Sequence, residues 1–202
     1  MKTKAYAKIN IILNVKGKRV DGYHDLFMVN TKIDLCDKII IKPSKVDKFK
    51  MDKNLCPNEQ NIGYKAYKLL KDKFDIKNNY SILIKKKIPS EAGLAGGSAD
   101  AARILLDIIK LEGIDISKEE LIDIVKEIGA DIPYCLYSKK CIVKGAGEDI
   151  TEINSNKEWI VLLASPSLSF STKKIFDEID KIDYSVNNEP NIKEFKDAKN
   201  NK

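Results

Sequence analysis

One histidine, one tryptophan and only two arginines, Arg19 and Arg103, occur in 202 residues. Sequence-specific nucleic-acid readers commonly read base edges with arginine, so the scarcity of arginine argues against that class. The four cysteines, Cys36, Cys56, Cys135 and Cys141, include no Cys-x-x-Cys pair, and a lone His24 cannot complete a Cys/His zinc site of ordinary spacing. They read as reduced thiols, and the expected compartment is the cytoplasm. No apolar run approaches the ~20 residues needed to cross a bilayer, and the N-terminus has the pattern of a strand rather than a signal peptide. Two common phosphate motifs are missing as well. Gly-x-x-x-x-Gly-Lys-Ser/Thr fails because no lysine follows Ser98 until Lys110, and Gly-x-Gly-x-x-Gly does not occur. No internal repeat is found.

What is present begins with charge. The net charge of +6 is carried almost wholly by lysine, a balance that suits polyphosphate ligands without specifying them. A chain of this length supplies one to two domains and a real core. The most informative stretch is Lys87-Ile-Pro-Ser-Glu-Ala-Gly-Leu-Ala-Gly-Gly-Ser-Ala-Asp-Ala-Ala102, a glycine-rich turn opening into a periodic helix. Gly93, Gly96 and Gly97 allow backbone conformations that a Cβ would forbid, so that amide groups can converge on an anion. The helix that follows adds its dipole and unsatisfied donors, and carries Ala101, Ala102, Leu105, Ile108 and Ile109 on one side. A tight turn before a core helix needs only one glycine.

Residues 4–15 alternate as a half-buried strand, with Ala5, Ala7, Ile9, Ile11, Leu13 and Val15 on one face and Lys8 and Asn10 together on the other. The turn-rich link Gly17–His24, with its Asp21-Gly22 signal, delivers Tyr23 beside His24. An aromatic next to an imidazole suits stacking and hydrogen bonding to a flat heterocycle; a partly buried structural histidine is the plainer reading. Further on, Ser117 and Glu120 form a capping box, and Leu121, Ile124, Val125 and Ile128 form an apolar stripe that Gly129 stops. Asp131 therefore stands at a helix exit, pinned by Pro133. It is either a reactive carboxylate or a turn aspartate bonding its own backbone.

Ala-Lys8-Ile-Asn10, Asp21-Gly-Tyr-His24, the loop from Pro89 to Ala102 and Gly129-Ala-Asp-Ile-Pro133 stand in one order and spacing. That order resembles the GHMP small-molecule kinases, and within them the branch of the non-mevalonate isoprenoid pathway. The match runs from about residue 4 to about residue 178. Asp-Gly-Tyr-His is the discriminating element, since other GHMP kinases carry the glycine loop without it. Two residues depart from the usual loop: Ala95 stands where glycine is common and Ala99 where serine is common.

The resemblance implies an α+β fold, with an S5-like N-terminal α/β domain (residues 1–155) and the start of a ferredoxin-like C-terminal domain (156–202). It implies transfer of the γ-phosphoryl group of ATP, with Mg2+, to the 2-hydroxyl of a cytidine diphosphate methylerythritol. Lys8 and Asp131 become the catalytic pair. Pro89, Gly93, Leu94, Gly96, Gly97 and Ser98 become the phosphate loop, with Asn61 and Lys86 near adenine. Asn10, Tyr23, His24, Thr172 and Phe176 become substrate contacts, and no protein metal ligands are implied. The chemistry is coherent: a carboxylate can accept the proton of a weakly acidic alcohol, and an ammonium stabilises the developing oxyanion.

The expected elements are strands at 4–15, 27–41 and 80–87, helices at 61–74, 117–128 and 172–182, and a loop and helix over 88–110. A hairpin is expected around Lys139-Lys140 and a buried strand at Trp159–Ala164, followed from Asp183 by a polar tail. The later glycine-rich motif of the family has no counterpart before Lys202. Either the chain is a truncated form or a fragment, or something unusual completes the fold; the expectation is a poor or inactive kinase with an exposed hydrophobic patch near Trp159 or Ile179, filled by another copy of the chain or by a missing C-terminal segment. A nucleotide-binding module without turnover, a nucleic-acid-binding S5-like domain and a kinase for homoserine or mevalonate remain as alternatives. The expected partner is a small molecule, with neither nucleic acid nor membrane.

Overall fold

The computed structural model describes residues 1–53, 55–155, 158–164 and 172–181. Among them, β1 (Lys2–Lys18), β2 (His24–Ser44), β3 (Lys48–Met51), α1 (Ile62–Lys73), β4 (Asn79–Lys85), α2 (Gly96–Glu112), α3 (Lys118–Val125), α4 (Ile132–Tyr137), β5 (Cys141–Gly145), β6 (Asp149–Glu152) and α5 (Thr172–Ile179) follow in order. β2 is the axis of the sheet. One edge pairs with β1; the other pairs with β5 through Leu26–Asn30 and with β4 through Lys38–Ser44, all antiparallel. β3 runs parallel to β4, as a strand–helix–strand crossover through α1 requires, and β6 closes the far side on β5. The main core lies between the sheet and the helices, around Ile39, Ile41, Ile82, Ile84, Ile104, Leu105 and Ile108, all at most 1% exposed. This is the mixed α/β domain that the sequence implies.

The β1–β2 pairing is not the regular ladder expected from simple alternation. Its register shifts between Tyr6 and Lys8, between Asn10 and Ile12, and between Val15 and Gly17. At the second shift β1 carries one residue more than β2, so the side chains beyond it change face. Leu13, expected inside, is 51% exposed, whereas Ile12 packs with Phe27, Val29, Ile142 and Ile153 in a small second core. Lys8 and Asn10 do share a face, and the Lys8 ammonium donates to Asn10 Oδ1 at 2.9 Å.

Four other expectations change. The helix after Ser117 ends at Val125 rather than running to Ile128, although the Ser117–Glu120 capping box forms as expected. Asp131 consequently belongs to a separate short helix, α4, which Pro133 opens. The hairpin turns at residues 146–148, not at Lys139-Lys140: Gly145 and Gly147 take φ of +68° and +124°, while Ser138 caps α4 in the left-handed region. Trp159–Ala164 is neither a strand nor buried, and Ile160 and Leu162 lie open to solvent. Apolar composition marked that segment, but no described strand pairs with it. α5 covers Thr172–Ile179 instead of extending to 182, and the polar tail from Asp183 lies outside the described residues.

Candidate active site

Lys8 joins two parts of the site. Its backbone N–H donates to the carbonyl of Leu94 at 3.1 Å, tying the glycine loop to β1. Its ammonium lies 3.4 Å from Asp131 Oδ1 and is itself buried. Asp131 is the N-cap residue of α4, a position where aspartate ordinarily accepts from the helix backbone, yet its carboxylate makes no capping bond. A turn aspartate bonding its own backbone is thus not what forms. The carboxylate faces a cation instead and is partly open to solvent.

Around this pair is a cleft of about 390 Å³ that also reaches Asn10, Tyr23, His24 and Phe176. Asn10 donates through Nδ2 to Asn30 Oδ1 at 2.7 Å, and Asn30, fully buried, keeps its own Nδ2 without a partner in the cleft wall. Sequence reasoning missed Asn30; an amide directly following the apolar run Leu26–Val29 was the available signal. His24 is buried and stacks on Phe176, with ring centroids 4.4 Å apart and planes 21° from parallel. Its Nε2 is 2.7 Å from Asp180 Oδ1, and Asp180 Oδ2 accepts from Lys18 at 2.5 Å. The Lys18 ammonium and the His24 ring hold the Asp180 carboxyl down at about 2. Asp180 and Lys18 were also not foreseen, because their roles exist only once α5 lies across the strand end. Tyr23 stands exposed at the rim. Thr172 opens α5, and its side chain falls outside the described residues.

The glycine loop leads into α2. Gly93 takes φ of +70°, the left-handed conformation expected of it, but Gly96 and Gly97 are helical. Space is tight at Gly96: a Cβ there would lie 3.0 Å from Ile88 Cγ2. The N-cap of α2 is Ala95, at φ 55° and ψ 32°. Ser98 is buried in the first turn of α2, and Pro89 begins the loop.

The two residues expected near adenine have structural work of their own. Asn61 caps α1, accepting from Gly63 N at 2.8 Å and Tyr64 N at 3.2 Å. Lys86 is buried between two carboxylates, 2.5 Å from Asp37 Oδ2 and 2.6 Å from Asp100 Oδ2. A larger hollow of about 970 Å³ lies along residues 158–163, but neither Lys8, Asp131 nor the glycine loop lines it. No set of three or more His, Cys, Asp or Glu side chains suited to a metal ion occurs among the described residues. No described helix is long and apolar enough to cross a membrane.

Residues 61–139 match the model of the GHMP kinases N terminal domain. A protein of Clostridium tetani named 4-diphosphocytidyl-2-C-methyl-D-erythritol kinase is 43% identical over 183 residues, covering 90% of this chain and 65% of that protein. The protein of the same name from Clostridium beijerinckii is 43% identical over 178 residues, covering 87% of this chain and 64% of its own length. This chain therefore spans slightly less than two thirds of these relatives. Among solved structures, a 4-(cytidine 5'-diphospho)-2C-methyl-D-erythritol kinase superposes with a TM-score of 0.66 at 30% identity, over 76% of this chain and 55% of the other. A homoserine kinase from Cytophaga hutchinsonii superposes with a TM-score of 0.62 at 17% identity, over 88% of this chain and 59% of the other, a likeness of fold alone.

Proposed function

On the premise that this chain carries the N-terminal domain of the GHMP kinases and is a homologue of the 4-diphosphocytidyl-2-C-methyl-D-erythritol kinases, we propose that it serves ATP-dependent phosphorylation of the 2-hydroxyl of that cytidine diphosphate alcohol. The observation that carries this reading is the Lys8–Asp131 pair, facing a cleft and fastened through Leu94 to the glycine loop.

In the proposed reaction the substrate hydroxyl sits against Asp131, whose uncommitted carboxylate takes its proton as the oxygen attacks the γ-phosphorus. The bond from that phosphorus to the β-γ bridging oxygen breaks, and ADP leaves. Lys8 offsets the charge of the carboxylate and of the developing alkoxide. The polyphosphate lies on the loop of Pro89, Gly93, Leu94, Gly96, Gly97 and Ser98, where backbone donors and the start of α2 converge. Adenine lies toward α1 and the end of β4, with Asn61 and Lys86 contributing through their neighbourhood because their side chains are occupied. Mg2+ would enter with ATP, held mainly by the phosphates and water.

Tyr23, His24 and Phe176 form the cytosine end, with Asn10 and Thr172 toward the rest of the substrate. His24 and Phe176 stack on each other, so entry of a base between the rings requires α5 to yield. The free cysteines fit a reducing, cytoplasmic setting.

Calorimetry with the purified protein tests the substrate, and a single-turnover assay with labelled ATP tests transfer. The expected result is binding of the cytidine substrate that His24→Ala weakens at least tenfold while sparing ATP. Transfer should fall by about 10²-fold or more in Asp131→Asn. Equal binding of homoserine or mevalonate, or wild-type transfer by Asp131→Asn, would overturn the reading.

A further inference from the structure

Beneath the glycine loop lies a charged cluster of which the proposed reaction draws only on Lys86, and only through its neighbourhood. Asp37 is fully buried on β2, Lys86 is 8% exposed just beyond β4, and Asp100 is 2% exposed in the second turn of α2. The Lys86 ammonium binds one oxygen of each carboxylate. The other oxygen of Asp37 accepts from the backbone N–H groups of Lys87 and Ile88, at 2.5 and 2.9 Å, the two residues that lead into Pro89. The other oxygen of Asp100 is buried without a partner. Lys86 Nζ lies 3.4 Å from the position a Cβ would take on Gly96. The cluster thus grips both ends of the loop, its entry through Asp37 and its helical exit through Asp100.

We propose that Asp37, Lys86 and Asp100 are positioning residues for the phosphate loop, acting as one unit whose charge is coupled to the binding of a polyphosphate. The inference rests on the ATP site proposed above. Two carboxylates against one ammonium leave a buried net charge of −1 when all three are ionised. A negative charge under a polyphosphate site opposes the ligand, and the second Asp100 oxygen is buried with no hydrogen bond from the described residues. Burial and the Asp37 carboxylate push the Asp100 carboxyl up to about 8 against the attraction of Lys86, whereas Lys86 is held above the ordinary lysine value by its partners despite burial. The charged groups facing Asp100 are Lys86 from the end of β4 and Asp37 from β2; the buried Cys135 thiol of α4 is the other titratable group in its field. An arriving polyphosphate favours the neutral carboxylic acid, so binding takes up a proton at alkaline pH.

Calorimetric titration of ATP into the protein at pH 7 and pH 9.5, in buffers of different ionisation enthalpy, tests this. The wild type should lose about tenfold in affinity between the two pH values and take up close to one proton at the higher one. Asp100→Asn, which keeps the shape and an acceptor for Lys86 but not the charge, should bind within about twofold at both pH values without proton uptake. Lys86→Met should weaken binding at every pH. Should it fail to fold, Asp100→Asn still decides. A pH-independent wild type, or an Asp100→Asn variant with undiminished proton uptake, overturns the coupling even where ATP binds and is turned over. Coupling that appears without binding of the cytidine substrate leaves this inference standing and sinks the kinase reading. No ATP binding at either pH overturns both.

Discussion

At the scale of single residues, the loop shows why counting glycines is not the same as locating the need for them. Only Gly93 of the three uses the left-handed region, and the left-handed N-cap of α2 is filled by Ala95. An alanine there is strained relative to glycine by about 1 kcal/mol. Ala95→Gly should therefore raise the melting temperature by about 2–4 °C, read by calorimetry or circular dichroism. Gly96 and Gly97 are adjacent and alike in sequence but not in surroundings. A Cβ on Gly96 meets the buried Ile88 at 3.0 Å, whereas one on Gly97 meets Ile62 at an ordinary 3.6 Å. Urea unfolding should show Gly96→Ala destabilised by about 1–3 kcal/mol. Gly97→Ala should be neutral or stabilised by up to about 1 kcal/mol. Equal losses at both sites would refute the packing account. Sequence could single out Lys8, His24 and Asp131 because their types carry chemistry; it could not show that Lys86 is already engaged, since its partners Asp37 and Asp100 lie on β2 and α2, whereas the engagement of Asn61 is local, with the first turn of α1.

At the scale of elements, local signals were legible where the stabilising contacts are themselves local. The capping box at Ser117 and Glu120 closes within four residues and forms as read; Ser117→Ala should cost about 1 kcal/mol in denaturant unfolding. The break between α3 and α4 was not legible, because it depends on where Pro133 and Asp131 find room against the rest of the domain. α5 is held to the strand end by the Phe176 ring and the Asp180 carboxylate. Asp180 has a folded value below that of a free carboxyl, so its anchoring is fully present above about pH 4. It is lost as pH falls toward about 2. Hydrogen exchange should accordingly show residues 174–181 loosening over that acid window in the wild type, and already loose at neutral pH in Asp180→Asn. Exchange in Asp180→Asn that matches the wild type at neutral pH would show that Phe176 alone holds the helix.

For the molecule as a whole, sheet and helices were readable from periodicity, while the irregularities of β1 were not: a bulge follows from the partner strand, and alternation alone assumes a partner of matched length. The same limit explains Trp159–Ala164, where composition suggested burial but Ile160 and Leu162 stand almost wholly exposed. Apolar groups so placed promote association. The double substitution Ile160→Lys with Leu162→Lys should reduce light scattering at high concentration and leave the melting temperature within about 1 °C. Undiminished scattering would show that another surface governs association. The tie between β1 and α4 also has a consequence in time. β1 and β2 can pair as soon as β2 has followed the short link between them, yet Lys8 meets its carboxylate only after roughly 120 residues have followed it, which at about 5–20 residues per second means a wait on the order of ten seconds on the ribosome. Through that interval a nascent chain holds the ammonium with no Asp131 to answer it, so the cation of the pair is synthesised long before its carboxylate.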